Sequence, residues 1–194
     1  MIDYKNIRYP VVILASPRSG STALANHIHG KLEDVLLFQE PDFTIPHLSN
    51  FLETAKTTNQ YVAKIQTNRL NFYPKQMLDY LIHSTEPYRV CIRRRNKIEQ
   101  SLSRYIATTR QKWFYQTTDI GEDIIPINYA GIKKNIQLLE AEIAKLDDIG
   151  TTYDTTIWYE DFDFGESDGI KTPKPKNYEE LYTAATNIYN TINE

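Results

Sequence analysis

The amino-acid sequence predicts an α/β fold, in which a parallel β-sheet is covered by helices on both faces to give three layers. Short apolar segments alternate with longer helix-compatible segments along the chain. This alternation is typical of parallel sheets, because neighbouring parallel strands need a crossover connection that a helix usually provides. The chain has 194 residues, of which 41% are hydrophobic, and this is enough to build one core. We therefore expect a single domain that spans residues 1–194.

Five short apolar segments are predicted to be the strands. In chain order they are Arg8–Ala15, Val35–Phe38, Tyr61–Ile65, Tyr88–Arg93 and Thr155–Tyr159. Six segments are compatible with helices, namely Ser21–Gly30, His47–Lys56, Pro74–His83, Lys97–Tyr105 or somewhat further, Ala130–Leu146 and Tyr178–Ile192. The segment 130–146 has the clearest pattern, because its isoleucines and leucines recur at helical spacing. Residues 107–127 and 163–177 lack periodicity and are predicted to be loops.

Composition and charge limit the kinds of partner that we expect. The net charge is −3 and the calculated pI is near 5.8, so the overall charge does not favour nucleic acid. The single cysteine, Cys91, lies in an apolar strand and is predicted to be a small core residue. The apolar run near the N-terminus is too short for a signal peptide or a membrane span. We therefore expect a cytoplasmic protein without a membrane partner.

The turn after the first strand has the composition of an anion-binding loop. It reads ASPRSGST over residues 15–22, with one glycine and several small hydroxyl residues. In such a strand, turn and helix, the backbone N–H groups of Arg18 to Thr22 can converge on a phosphate or sulfate at the helix N-terminus. The pattern GxxxxGK[ST] of nucleotide-hydrolysing P-loops is absent, since the basic residue precedes the glycine. The alternative is a simple turn in which Ser19 caps the helix.

A second basic segment follows the fourth predicted strand. Arg95 lies at the strand end, and Ser103 follows eight residues later on the next predicted helix. Arginine presents a planar, charged fork to a phosphate, and a serine hydroxyl adds a neutral donor. The alternative is that the arginine run 93–95 is a solvated charge cluster at the end of a strand.

These two motifs, in this order, resemble those of the sulfotransferases that use 3′-phosphoadenosine 5′-phosphosulfate (PAPS), in particular the small bacterial members. The resemblance covers roughly residues 10–110 and, more weakly, the segment 157–162. It implies a P-loop NTPase-like sulfotransferase fold and transfer of a sulfuryl group to a hydroxyl of a small molecule or carbohydrate. The implied donor-binding residues are Pro17, Arg18, Ser19, Gly20, Ser21 and Thr22 at the 5′-phosphosulfate, and Arg95 and Ser103 at the 3′-phosphate.

The same resemblance implies three catalytic residues. Glu40 follows the second strand and is implied to be the base for the acceptor hydroxyl, with a solvated surface glutamate as the alternative. Lys64 lies in an apolar strand and is implied to contact the transferring sulfuryl group, although a lysine that protects an edge strand is the alternative. Arg18 is implied to offset charge on the leaving oxygen.

No metal is implied, because the transferred sulfuryl group carries less negative charge than a phosphoryl group. His27 and His29 are two residues apart, so they face different sides of a helix and are not expected to share a ligand. The resemblance implies that Lys171, Lys174 and Lys176 are candidates for a basic loop at the 3′-phosphate, but a solvated linker is the simpler interpretation. Two other functions stay open at this point: a P-loop kinase-like phosphotransferase and a non-catalytic nucleotide-binding module. The acceptor and the oligomeric state are left open.

Overall fold

The computed structural model describes residues 10–39, 51, 53, 57, 60–113, 121–149, 153–163 and 172–193. The chain divides into two compact units. The first consists of Met1–Arg93 and Glu142–Asp168, and the second of Arg94–Ala141 and Gly169–Glu194. The expectation of a single domain over 1–194 stays a prediction.

The first unit contains a five-stranded sheet in which all neighbouring strands are parallel, in the order β2-β3-β1-β4-β5. The strands are β1 Val11–Ala15, β2 Leu36–Gln39, β3 Tyr61–Gln66, β4 Tyr88–Arg93 and β5 Thr155–Trp158. The predicted α/β class and the five predicted strands are therefore confirmed, with ends that move by a few residues. Residues 8 and 9 lie outside the described residues.

Helical segments pack against both faces of this sheet, because the side chains of a strand alternate between faces. One face carries Val11 and Ile13 of β1, which form a buried cluster with Leu24 and Ile28 of α1 (Ser21–Lys31). The other face carries Val12 and Leu14, packed with a second cluster that includes Met77. Met77 belongs to α2 (Lys75–Leu78), which continues as a π-helix over Asp79–His83. The predicted helix at 74–83 is thus confirmed with a wider final turn.

The predicted helix at 47–56 lies mostly outside the described residues. Residues 51, 53 and 57 are described, and all three are helical. Phe51 is fully buried, and its ring lies 5.3 Å from that of Tyr61 in β3.

The second unit has a helical core of its own. It contains α3 (Lys97–Thr109), α5 (Tyr178–Asn193) and the first part of α4 (Tyr129–Asp148). Its buried cluster includes Leu102 and Ile106 of α3, together with Ile136 and Leu181. The prediction of a loop from residue 107 is wrong, because α3 continues to Thr109 and keeps Ala107 fully buried. The described residues 110–113, 121–128 and 172–177 have no helix or strand, as predicted.

Within the described part of the chain, we find no helix that combines the length and the hydropathy needed to cross a membrane.

Candidate anion-binding site

The loop between β1 and α1 has an unusual backbone. Arg18 has a φ of 62° and Gly20 a φ of 90°, so two alternate residues adopt left-handed conformations. The ring of Pro17 fixes its own φ at a negative value. A backbone that alternates between right- and left-handed conformations forms a nest, in which successive N–H groups face one concave side. An arginine with positive φ is strained, and such strain is concentrated at functional sites. The loop therefore has two alternate residues with the positive φ that a nest uses.

Among the described residues, no side chain caps the start of α1. Gly20 is the N-cap residue, and the structure shows no side-chain hydrogen bond that caps the helix there. Ser19 is therefore not the helix cap, and this part of the simple-turn alternative is wrong. The first N–H groups of a helix have no partner within the helix, and they lie at the positive end of its dipole. An anion in the loop can accept hydrogen bonds from them.

Ser19 and its neighbours are buried polar residues. Ser16, Ser19 and Ser21 are at most 3% exposed. The Ser19 Oγ atom has no hydrogen-bond partner among the described residues. A buried hydroxyl without a partner costs on the order of 1–3 kcal/mol, and buried groups of this kind call for an explanation. A ligand oxygen in the loop is one partner that can remove this cost.

Lys64 is buried beside this loop. Its side chain is 1% exposed, and its Nζ atom donates a hydrogen bond to Thr22 Oγ1 over 2.8 Å. It lies on β3 between β2 and β1, so it is not on an edge strand, and the edge-protection alternative is wrong. Burying an ammonium group is costly unless polar or charged groups surround it. The structure therefore brings a cation to the first turn of α1, where the predicted donor loop ends.

Glu40 lies outside the described residues, so its predicted role as the base stays a prediction. Its neighbour Gln39 is the last residue of β2 and pairs in register with Lys64. In the described sheet, β2 is an edge strand. Gln39 Nε2 donates to Asn26 Oδ1 over 2.6 Å, which ties the end of β2 to α1.

Two polar residues that sequence reasoning missed follow β3. Thr67 Oγ1 and Asn68 Oδ1 are buried and have no hydrogen-bond partner in the described part of the chain. Ala15 and Gln66 are in register, so Ser16 and Thr67 follow neighbouring strand ends. Ligands of parallel α/β sheets bind outside the carboxyl ends of the strands. A polar pair directly after a buried strand is the sequence signal that could have found them.

The second predicted motif belongs to the second unit, apart from Arg93. Arg93 forms an ion pair with Asp147 in the first unit, with 2.5 Å between Nη2 and Oδ1. Arg94 forms an ion pair with Glu99 over 2.9 Å. Arg95 is exposed and precedes α3. The arginine run is therefore more than a solvated charge cluster, since Arg93 and Arg94 each pair with a carboxylate.

Ser103 is half-buried on α3, and its Oγ atom is 2.8 Å from Thr172 Oγ1 in the same unit. Lys176 pairs with Glu122 over 2.8 Å, and Lys174 Nζ lies 4.2 Å from the centre of the Tyr178 ring. Both lysines thus have contacts within the second unit, whereas Lys171 lies outside the described residues.

The histidines on α1 have separate structural contacts. The His27 ring centre is 5.2 Å from that of Phe162, and His29 Nε2 is 2.9 Å from the carbonyl oxygen of Val35. Among the described residues, no group of three or more histidine, cysteine, aspartate or glutamate side chains is arranged to hold a metal ion. Cys91 is buried in β4, and this burial raises the pKa of its thiol.

No protein-family model matches the chain, and no curated protein matches it.

Proposed function

We propose that the chain is a PAPS-dependent sulfotransferase with a three-layer, P-loop-like fold. The observation that carries the proposal is the buried ammonium group of Lys64 beside Thr22, at the end of a strained loop that leads into an uncapped helix. These features meet at the carboxyl end of a parallel sheet, where α/β proteins bind their ligands. Together they favour a bound tetrahedral anion.

The arrangement of the cation favours a sulfuryl donor over a nucleoside triphosphate. In a P-loop of the GxxxxGK[ST] type, the lysine follows the glycine within the loop. Here Ser21 follows Gly20, and the lysine comes from the neighbouring strand. This agrees with the resemblance to sulfotransferases. A P-loop kinase-like phosphotransferase stays the main alternative, and a non-catalytic nucleotide-binding module is the second.

PAPS supplies the sulfuryl group, and residues of the chain act around it. The backbone N–H groups of the loop and the side chain of Ser19 bind the phosphosulfate oxygens. Lys64 and Arg18 offset the charge that develops on the bridging oxygen as the bond from sulfur to the 5′-phosphate breaks. Glu40 takes the proton of the acceptor hydroxyl while the oxygen of that hydroxyl bonds to sulfur. Adenosine 3′,5′-bisphosphate (PAP) is the second product.

Arg95 and Ser103 keep their proposed role toward the 3′-phosphate. Arg95 is exposed and presents a permanent charge. Ser103 shares a hydrogen bond with Thr172, but a hydroxyl both donates and accepts. It can therefore donate to a phosphate while it accepts from the threonine.

Calorimetric titration with PAP in the absence of divalent cations tests the proposal. We expect PAP to bind, and at about a hundred times its Kd it should stabilise the fold by roughly 2.7 kcal/mol through linkage. AMP, which has no 3′-phosphate, should bind more weakly.

A protein that ignores PAP but is stabilised by magnesium ATP would support the phosphotransferase and contradict the proposal. Binding of PAP without transfer of labelled sulfate from PAPS to any of a panel of alcohols, phenols and sugars would support the non-catalytic module.

A further inference from the structure

The residues that follow β5 pack against the start of α1 in the first unit. Tyr159 begins a 3₁₀ turn over Tyr159–Asp161, and Phe162 follows it. Both aromatic side chains are half-buried and pack against the cluster that α1 forms with the sheet. We call the segment Tyr159–Phe162 the aromatic brace.

The first contact of the brace is at Gly20. A Cβ atom at this position would lie only 2.6 Å from Tyr159 Cε2, closer than two non-bonded carbon atoms can approach. The tyrosine ring therefore lies directly on the α-carbon of Gly20. Because Gly20 also has a φ of 90°, two independent constraints demand a glycine here. A substitution would have to strain the backbone and displace the ring.

The second contact of the brace is at His27. The rings of His27 and Phe162 meet edge to face, with 5.2 Å between centres and 83° between planes. Positions 20 and 27 are seven residues apart, which is about two turns and so the same face of a helix. The brace thus holds the N-cap and the second turn of α1 from one side. Its contacts fix the start of the helix at the place where the loop ends.

We infer that Tyr159 is a positioning residue for the anion-binding loop: its ring holds Gly20 in the left-handed conformation that the cradle needs, without itself touching the anion. This inference rests on the proposed function, since the anion is the proposed 5′-phosphosulfate end of the donor. A loop with strained dihedral angles persists only when its surroundings hold it in place. A loop held in its bound conformation also loses less conformational freedom when it binds.

The test compares the affinity for PAP of three variants with that of the wild type, by calorimetry well below the unfolding temperature. Tyr159→Ala removes the ring, and we expect it to weaken PAP binding about tenfold, which corresponds to about 1.4 kcal/mol. Tyr159→Phe keeps the ring and should bind PAP within about twofold of the wild type. Trp158→Ala is the matched control, because Trp158 is the adjacent aromatic residue and is 37% exposed.

Tyr159→Leu replaces Tyr159→Ala if the alanine variant does not fold, since leucine keeps apolar volume but lacks the planar ring. Gly20→Ala, with Tyr159 intact, should also lose affinity. Equal PAP affinity in the wild type and in the folded ring-deletion variant would overturn the inference and leave the proposed function standing. A PAP affinity of Tyr159→Phe as low as that of Tyr159→Ala would also overturn the inference, because the hydroxyl and not the ring would then matter. A wild type that does not bind PAP would overturn both.

Discussion

The two segments that resemble donor-binding motifs differ in how their polar groups are satisfied. In the loop 16–22 of the first unit, α1 starts without a side-chain cap and the buried Ser19 hydroxyl has no partner among the described residues. In the segment 94–103 of the second unit, Asn96 caps the start of α3, because its side chain accepts a hydrogen bond from the backbone N–H of Glu99. Here Arg94 is paired with Glu99, and Ser103 with Thr172.

This difference bears on how much each segment contributes to ligand binding. An anion in the loop gives the buried Ser19 hydroxyl an acceptor that no described residue provides. A phosphate at the second segment must share or replace hydrogen bonds that the protein already makes. We therefore expect the loop and its lysine to supply most of the rate, and the second segment to supply selectivity for the 3′-phosphate.

The largest effect is expected for Lys64→Met. Methionine fills a similar space without the charge, so sulfate transfer should fall by about 100-fold or more, the scale for loss of one transition-state donor. PAP binding should weaken by roughly 10- to 150-fold, since a charge-assisted hydrogen bond contributes about 1.5–3 kcal/mol. The measurements are transfer of labelled sulfate from PAPS and calorimetry with PAP.

The stability of this variant separates a lost function from a lost fold. Replacing a buried charge by an apolar residue of similar volume is often neutral or stabilising, so the denaturant midpoint should stay equal or rise. Lys31→Met is the control, because Lys31 is an exposed lysine at the end of α1. Full transfer activity in Lys64→Met would remove this lysine from the mechanism.

The sequence was sufficient to predict the elements because each follows from a local pattern. Apolar runs in the sequence predicted the strands. Lys64 was singled out because it is a charged residue within one of these apolar runs. The turn was predictable because one glycine and several small hydroxyl residues follow the first strand, whereas the positive φ of Arg18 was not predicted. By contrast, the contact of Tyr159 with Gly20 depends on the order of the strands in the sheet. Apolar periodicity carries no information on that order, so this contact was not predicted.

Two sequence predictions show other limits of local patterns. The helical pattern of α3 fades near residue 105, yet Ile106 and Ala107 are buried in the second unit, and tertiary packing extends the helix. Ser103 was singled out by its spacing from Arg95, but its partner Thr172 is distant in sequence. The role of Glu40 stays a prediction, because it rests on the resemblance and on its position directly after β2.

Substitutions at Arg95 and Ser103 should have the next largest effects, and they test the contrast directly. Arg95→Ala should weaken PAP binding by roughly 10- to 150-fold, the equivalent of about 1.5–3 kcal/mol for a charge-assisted bond. Ser103→Ala should weaken it by only about fivefold, since a neutral hydrogen bond contributes about 1 kcal/mol. Calorimetry with PAP measures both effects, and the affinity for AMP should change little.

Thr172→Val serves as the control for Ser103, because it removes the partner hydroxyl and keeps the shape of the side chain. If Thr172→Val weakens PAP binding as much as Ser103→Ala does, the pair acts through the local structure and not through the phosphate. Equal losses of PAP and AMP affinity in Arg95→Ala would also contradict the assignment to the 3′-phosphate.

The smallest effect is expected at an ion pair in the second unit that we assign to stability alone. Arg110 donates to both carboxylate oxygens of Asp123 and, through Nη1, to the carbonyl oxygen of Pro173 over 2.7 Å. The hydrogen bonds from Arg110 lower the pKa of the Asp123 carboxyl below its ordinary value. Asp123 is 42% exposed, so Asp123→Asn should cost at most about 1 kcal/mol of stability at neutral pH and leave PAP affinity unchanged.

The pH dependence identifies the ionised carboxylate as the source of this effect. A carboxyl whose folded pKa is lowered stabilises the fold above its unfolded pKa of about 3.9, and the contribution is lost as pH falls through the lower folded value. The difference between the wild type and Asp123→Asn in denaturant midpoint should therefore be full at pH 7 and shrink toward zero in acid. Salt should reduce it at pH 7, since the pair is partly exposed. A difference that persists undiminished in acid would show that the carboxylate charge is not its cause. Reduced PAP affinity in this variant would instead place the pair in the donor site and contradict its assignment to stability alone.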